Sequence, residues 1–572
     1  MLSNSYNFKR EYATRSFNTV YASFDIWKGI KFASTFSYDF VMNKSRAWKD
    51  PRTSDGDDDN GRFSKDYNDI TNMTWSNILT YQTKIKKKHN LDLLAGYEIN
   101  SKESDGLGTT ISNFARWDKP EVNNGVVYQS MGGSNSTTRI VSYITRANYD
   151  YDNKYYLGAS WRTDGSSRLA RENRWGNFWS LSGAWRVSSE SFMKPLQNWL
   201  SDLKLRVSYG VNGTLPSSYY GYMGLSSLTS NYNDNPGITQ SQLKNKELTW
   251  ETNYNFNSGI DLGFFDNRLN VTFEYYVRTT KNLLYSRPLS LATGFSSYLA
   301  NIGKLQNKGY ELEIRSTNIE TKDFRWSTSL NLGHNANKIL KLDGDLKQVT
   351  SGTSIHKVGL PYSTYYMIEF AGIDPADGEP MFYKNTTDEN GNLNKETTKD
   401  PRSAEKVILQ CADPTITGGL GNSISYKWFD LNFNVNFSFG AWNYDGAAGK
   451  LEHGGDGTLN IPIYYRKRWQ KEGDETSIER FVVGRSISMT DYATTRRLYS
   501  GDYVRLKNLT FGFTLPKTWT RKVGIDNIRL YASGNNLLTW AAYDYIDPES
   551  GSSPSWDTPP MRTYTFGLEV KF

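Results

Sequence analysis

Residues able to carry covalent or metal chemistry are sparse in this sequence, and their spacing argues against an enzyme. The four histidines, His89, His334, His356 and His453, show no HExxH or other paired spacing. Each reads as a solvated loop or strand-end residue instead of a metal ligand. Cys411 is the single cysteine, which excludes a disulfide framework and any zinc or iron–sulfur site built on thiolates. It falls in a long loop without an evident basic partner and reads as incidental. No GxSxG elbow, Walker A loop or GxGxxG after a strand is present, so neither a nucleophile nor a nucleotide cofactor is indicated. One tract resembles a calcium loop in part. Asp55, Asp57 and Asp59 have its first three spacings and Asp66 falls at the twelfth position, but Asn60 replaces the glycine and the last ligand is not Glu. A solvated loop is the better reading of that tract, with calcium as a weak candidate.

Binding chemistry is better represented. Trp442 and Tyr444 leave one predicted strand; Trp540, Tyr543, Tyr545 and Trp556 surround another. Flat aromatic faces beside Asn and Asp suit stacking on sugar rings with hydrogen bonds to hydroxyls. The same residues at the same height would also form an interfacial aromatic girdle, and the sequence does not choose between the two. The run Lys84-Ile-Lys-Lys-Lys-His89 reads as a solvated hairpin turn. A net charge of +7 spread over 572 residues is no basic stripe, so nucleic acid is not an expected partner.

The elements that must hold these residues show period-two alternation. Leu203, Leu205, Val207, Tyr209 and Val211 alternate with Lys204, Arg206, Ser208 and Gly210. Trp250, Tyr254, Phe256, Ile260, Leu262 and Phe264 oppose Glu251, Asn253, Asn255, Asn257 and Asp261. Leu431, Phe433, Val435, Phe437 and Phe439 alternate with Asn432, Asn434, Asn436 and Ser438. Successive strand side chains point to opposite faces, so each run has one apolar and one polar face. About seventeen such segments are predicted, beginning near residues 15, 30, 68, 90, 138, 154, 174, 202, 248, 268, 304, 323, 419, 430, 503, 528 and 562. Charges such as Arg146, Arg162, Arg186, Arg206, Glu274 and Glu313 fall mid-strand on the polar face. Hydrophobic residues make up only 37% while aromatics reach 15%, a balance that fits a wall with one greasy face. No run approaches 18 apolar residues, which excludes spanning helices, and the first residues have no apolar signal-peptide core.

Connection lengths distinguish a membrane barrel from a sandwich. Short turns at 27–29, 150–154, 265–268, 320–323 and 427–430 alternate with long loops at 45–67, 101–136, 213–247, 281–303, 340–418, 443–500 and 541–560. Outer-membrane barrels have short periplasmic turns and long extracellular loops. Trp27, Phe264, Phe265, Trp326, Trp428 and Phe429 crowd the short turns, as a periplasmic girdle would. Within the longest loop, Asp374 to Gly378 and Asp388 to Gly391 read as turns of a hairpin. The fold class expected is an all-β transmembrane antiparallel barrel. Its last strand, with Thr565, Gly567, Val570 and a terminal Phe572, resembles the C-terminal assembly signal of such barrels.

Several longer runs carry a family resemblance. Asn173-Arg-Trp-Gly-Asn-Phe-Trp-Ser-Leu-Ser-Gly-Ala-Trp-Arg-Val187, Leu203-Lys-Leu-Arg-Val-Ser-Tyr-Gly-Val-Asn-Gly213, Leu248-Thr-Trp-Glu-Thr252 and Phe265-Asp-Asn-Arg-Leu269 resemble the barrel of SusC/RagA-type TonB-dependent transporters. So do Asn307 to Leu312, Tyr503 to Leu509 and Leu530 to Leu537. The resemblance implies a 22-stranded barrel, of which residues 1–572 would supply the C-terminal part without plug or signal peptide. Strand parity agrees, since the first strand, like the last, would run towards the periplasm. It further implies a Bacteroidetes-type outer membrane and uptake of oligosaccharides or peptides. The implied partners are a SusD-like surface lipoprotein, the TonB complex and outer-membrane lipid. A passive plug-less channel and a surface glycan-binding β-protein are the alternative readings.

Overall fold

The structure is a computed structural model that describes the chain except residues 1–4, 234, 343, 345, 390, 456–459, 485–491, 544 and 551–559. Seventeen strands belong to one antiparallel sheet. They begin at residues 8, 30, 62, 89, 125, 155, 175, 200, 251, 269, 304, 324, 416, 429, 503, 527 and 563. Residues fall into two compact units: Met1–Trp185 with Ser208–Asn255 and Thr280–Ile302, and Arg186–Val207 with Phe256–Thr279 and Gly303–Phe572.

In the first unit the strands Phe8–Trp27, Ile30–Lys49, Arg62–Ile85, His89–Phe114, Gly125–Tyr151, Tyr155–Ser166 and Trp175–Arg186 pair in chain order. Gly125–Tyr151 has 27 residues, about 90 Å at ~3.3 Å per residue, far more than a bilayer needs. The loops expected at 45–67 and 101–136 are therefore largely strand, up to Lys49, from Arg62, through Phe114 and again from Gly125. Their upper halves are rich in Ser, Thr and Gly on both faces, so alternation fades although the ladder continues. Lys86 and Lys87 both take left-handed φ, 48° and 62°, which closes the tight hairpin expected of that lysine run.

In the second unit Lys304–Glu320, Phe324–Lys341, Ile416–Tyr426, Phe429–Phe439, Tyr503–Thr514, Asn527–Ala541 and Thr563–Lys571 pair in chain order. Apolar side chains of these strands stay exposed on one face, Phe511 and Leu530 among them. On a water-soluble surface an apolar band of this extent would be a liability; against acyl chains it is solvated.

The opposite face is ion-paired. Arg206 holds Asp261 through two hydrogen bonds of 2.8 and 2.9 Å and Glu274 through a third of 2.7 Å. Arg162 pairs with Asp164 at 2.7 Å, Arg146 with Asp92 at 3.2 Å, and Arg186 approaches Asp202 at 3.6 Å. Glu313 bonds Arg315. Every mid-strand charge singled out from the sequence thus has a partner. Arg529 reaches across an intervening strand to Asp430 at 2.8 Å, passing over Gly512, where a Cβ would lie 2.3 Å from the Asp430 carboxylate.

Apolar burial concentrates where strand ends meet the loops. Trp48, Phe63, Ile111 and Phe114 form one cluster, Leu169, Phe178, Leu248 and Trp250 a second, and Tyr365, Met367 and Leu498 a third.

Candidate functional site

The long loops of the second unit fold into a small body of their own. Gln348–Ser351, Ser354–Lys357, Thr364–Ile368 and Lys406–Cys411 make a four-stranded sheet; Phe370–Ile373 and Pro380–Tyr383 form a hairpin beside it. Asp374 to Gly378 is the turn of that hairpin, with the Gly378 N–H donating to the Asp374 carbonyl. Lys399 pairs with Asp374 at 2.6 Å and Asp377 at 2.8 Å, and holds both carboxyls below their ordinary range.

On this body four tyrosines form a row. Tyr499 and Tyr543 stack with ring centroids 3.8 Å apart and planes 10° from parallel. Tyr545 lies 5.3 Å from Tyr543, and Tyr464 5.7 Å from Tyr545. Tyr545 is 72% exposed, so its ring is available to a ligand.

Beneath the row lies a buried ion network. Glu479 is fully buried and bonds Arg496 at 2.5 Å while accepting the Tyr465 hydroxyl at 3.0 Å. Glu452 takes Arg497 at 3.3 Å, Arg496 at 3.7 Å and the Tyr464 hydroxyl at 2.5 Å. Asp445 accepts the Tyr543 hydroxyl at 3.0 Å and the Ala448 N–H at 2.7 Å, capping the short helix Gly446–Leu451. Burial first, and neighbouring carboxylates after it, push the Tyr464 and Tyr465 hydroxyls far up, so both remain donors. Burial opposes the Arg496 charge, but Glu479 outweighs it and the guanidinium is raised. Such a base fixes ring positions, and the row above it can stack on flat ligand faces.

The polar sheet face of the same unit holds a hollow of ≈ 650 Å³ lined by Glu274, Glu311, Glu313, Asn331 and Asn436 among others. A second of ≈ 320 Å³ carries Arg268, Arg315, Asn432 and Asn434. Both carry side chains able to hydrogen-bond a ligand.

The expected binding residues divide. Tyr543 and Tyr545 join the row. Trp442 and Tyr444 instead pack against Tyr365, Met367 and Leu498, because their short strand pairs with Leu498–Ser500 and turns the rings into the loop core. Trp540, 59% exposed, shares the apolar face with Leu530 and Leu538. Trp556 lies outside the described residues. Tyr464 and Tyr499 were not expected; only the Tyr464–Tyr465 doublet in a loop hinted at them.

Asp55 accepts from Asn7 at 3.0 Å and Asp59 pairs with Arg62. Asp66 is on a strand beside Gly108, and among the described residues no three His, Cys or carboxylate groups converge. The Asp55, Asp57 and Asp59 spacing is that of a hydrogen-bonded surface loop. His356 and His453, expected to be solvated, are buried, since the loops have a core that alternation does not reveal. At the C-terminus Gly567 meets Tyr531, whose ring lies 2.2 Å from where a Cβ would be, and Thr565 shares that face. Val570 is on the apolar face with Phe566 and Leu568.

Comparison with known proteins agrees with this architecture. Residues 2–537 match the TonB dependent receptor-like, beta-barrel family. TonB-dependent receptor P3 of Formosa agariphila is 32% identical over 96% of this chain and 57% of its own length. TonB-dependent receptor SusC of Bacteroides thetaiotaomicron is 30% identical over 76% of this chain and 44% of its own length. The structure of the RagAB peptide transporter superposes with a TM-score of 0.88 at 26% identity, covering 99% of this chain and 63% of that one. The chain therefore spans less than two thirds of these relatives. A seventeen-strand antiparallel sheet with one lipid-suited face and these matches together place the chain in the TonB-dependent receptor β-barrel family of the outer membrane.

Proposed function

We propose that this chain forms wall and outer loops of a TonB-dependent uptake system that captures an oligosaccharide or peptide on the tyrosine row. The observation carrying this reading is the row itself: exposed and half-buried rings on a rigid, charge-paired base within the long loops. Rings fixed before a ligand arrives lose little entropy on stacking. In this reading residues 1–572 are the C-terminal part of a barrel, and sequence outside them supplies a plug and a TonB contact. A SusD-like surface lipoprotein covers the loops and delivers the substrate. The name of the RagAB peptide transporter supports the peptide class, and the oligosaccharide class rests on the resemblance to SusC/RagA-type transporters.

Growth of a deletion strain on single glycans or peptides identifies the substrate. With it in hand, Tyr545→Ala, which removes an exposed ring that no buried bond needs, lowers affinity about tenfold, or ~1.4 kcal/mol. Unchanged affinity and growth for this variant and for Tyr543→Ala would remove the row from the capture site.

A further inference from the structure

In the first unit the apolar sheet face ends in a row of cations. On Ile30–Lys49 the positions sharing that face are Phe32, Ser34, Phe36, Tyr38, Phe40 and Met42, none charged, followed by Lys44 and Arg46. The uncharged stretch from residue 32 to 42 matches the roughly ten residues a tilted strand needs to cross a bilayer. On Phe8–Trp27 the same face stays uncharged from Phe24 up to Tyr12 and then presents Arg10. On Arg62–Ile85 it carries Tyr81, Leu79, Asn77, Trp75, Met73 and Thr71, then Asp69, Tyr67 and Lys65.

Pairing puts three of these cations side by side. Arg10 lies directly opposite Arg46, and Arg46 directly opposite Lys65. In the next row towards the membrane Tyr12, Lys44 and Tyr67 are aligned in the same way. Like charges in direct cross-strand positions repel, so an arrangement of this kind requires anions. Glu121 meets part of the need, pairing with Arg46 and lying 3.6 Å from Lys65. The remaining cations are held on aromatic rings: Arg10 over Phe8 at 4.9 Å and Lys44 over Tyr67 at 5.7 Å. The Arg46 Nε–H is buried without a hydrogen-bond partner. Four cations face one carboxylate in these two rows, and the next acid on the face, Asp69, is one row further towards the membrane.

We infer that Arg10, Lys44, Arg46 and Lys65 form a site for the phosphate groups of an anionic, phosphorylated glycolipid in the outer leaflet. The site lies where headgroups begin, immediately past the uncharged band. Arginine forks suit phosphate oxygens, and the exposed Tyr12 ring with Tyr67 suits adjoining sugar rings. The inference rests on the lipid-facing assignment of this sheet face, not on the tyrosine row or on any substrate, so either can fail without the other.

The test uses the protein extracted from its own membrane into neutral dodecyl maltoside, with diphosphorylated lipid A as probe and binding read by native mass spectrometry. Wild type retains lipid A, and removing its phosphates or substituting Arg10→Gln, Arg46→Gln and Lys65→Gln together weakens binding at least about tenfold. Arg10→Gln alone, at an exposed position outside the Glu121 pair, guards against a folding artefact and weakens binding by about threefold or more. Lys84→Gln, at the far end of its strand, leaves binding unchanged. Equal binding of both lipid forms, an Arg10→Gln variant indistinguishable from wild type, or displacement by inorganic phosphate as effective as by lipid A would each overturn the inference.

Discussion

Replacing Glu479 by Gln tests whether the ion network fixes the tyrosine row. The carboxylate is fully buried, bonds Arg496 at 2.5 Å and accepts the Tyr465 hydroxyl at 3.0 Å. Removing one partner of a buried pair costs about 3–5 kcal/mol, because the remaining charge is stranded. Two features keep the expected loss near the lower end. Arg496 still has Glu452 at 3.7 Å, and the Gln carbonyl can still accept from Tyr465. A loss of about 3 kcal/mol corresponds to roughly a 150-fold rise in local opening. Hydrogen exchange of the amides in Ile463–Lys467 and Leu498–Ser500 reads this opening directly. Substituting Glu479→Met together with Arg496→Met leaves Glu452 paired with Arg497 and should recover much of the loss, since no unpaired charge stays buried. Exchange within about threefold of wild type for Glu479→Gln, or a double variant worse than the single, would refute the reasoning.

Three further outcomes follow from other parts of the molecule. Gly567→Val drives a side chain into Tyr531 and should lower the thermal transition of the folded sheet, seen by heat-modifiable gel mobility, by an overpacking cost of about 1–3 kcal/mol. Adding Tyr531→Ala should restore it. Arg206→Gln leaves Asp261 and Glu274 without their shared cation and should cost about 1–3 kcal/mol in the same assay. His356 is held below the ordinary imidazole value of 6.5, by burial first, although it bonds the Tyr362 carbonyl. Its opened state therefore binds protons more readily than the folded one, so the small loop sheet is at full stability above 6.5 and loses stability as pH falls below it. The protection factors of the 348–368 amides, that is their exchange corrected for its intrinsic pH dependence, should fall at about pH 5.5 relative to about pH 7.5 in wild type and much less in His356→Phe.

Much of the sheet was legible because each strand must satisfy two solvents. Alternation such as Leu431 to Phe439 marks the lipid and water faces, and short turns such as Lys427–Trp428 set its register. Where the lipid face ends, the signal ends as well. Gly106 to Thr109 and Met131 to Ser134 pair as strand, yet their sequence looked like loop because Gly and Ser break the apolar alternation. The site was only half legible for a related reason. Trp442, Tyr444, Trp540 and Tyr543 are similar residues at similar distances from strand ends. What separates the loop core from the tyrosine row is the pairing of Trp442–Tyr444 with Leu498–Ser500 and the buried Glu479 beneath Tyr465, contacts between segments far apart in sequence. Charge pairs behaved better. The sequence places mid-strand Arg and Glu on the polar face, and there they find partners on neighbouring strands or two residues along their own.

The account rests on a sheet with lipid on one face and water on the other, and site-directed spin labelling along Phe429–Phe439 tests this most directly. After Cys411→Ser, single cysteines at Phe433, Val435 and Phe437, and separately at Asn432, Asn434 and Asn436, receive a nitroxide in lipid bilayers. Collisions with oxygen should dominate at the first set and collisions with a water-soluble nickel complex at the second, alternating with period two. Equal access of the nickel complex to both sets would contradict the account.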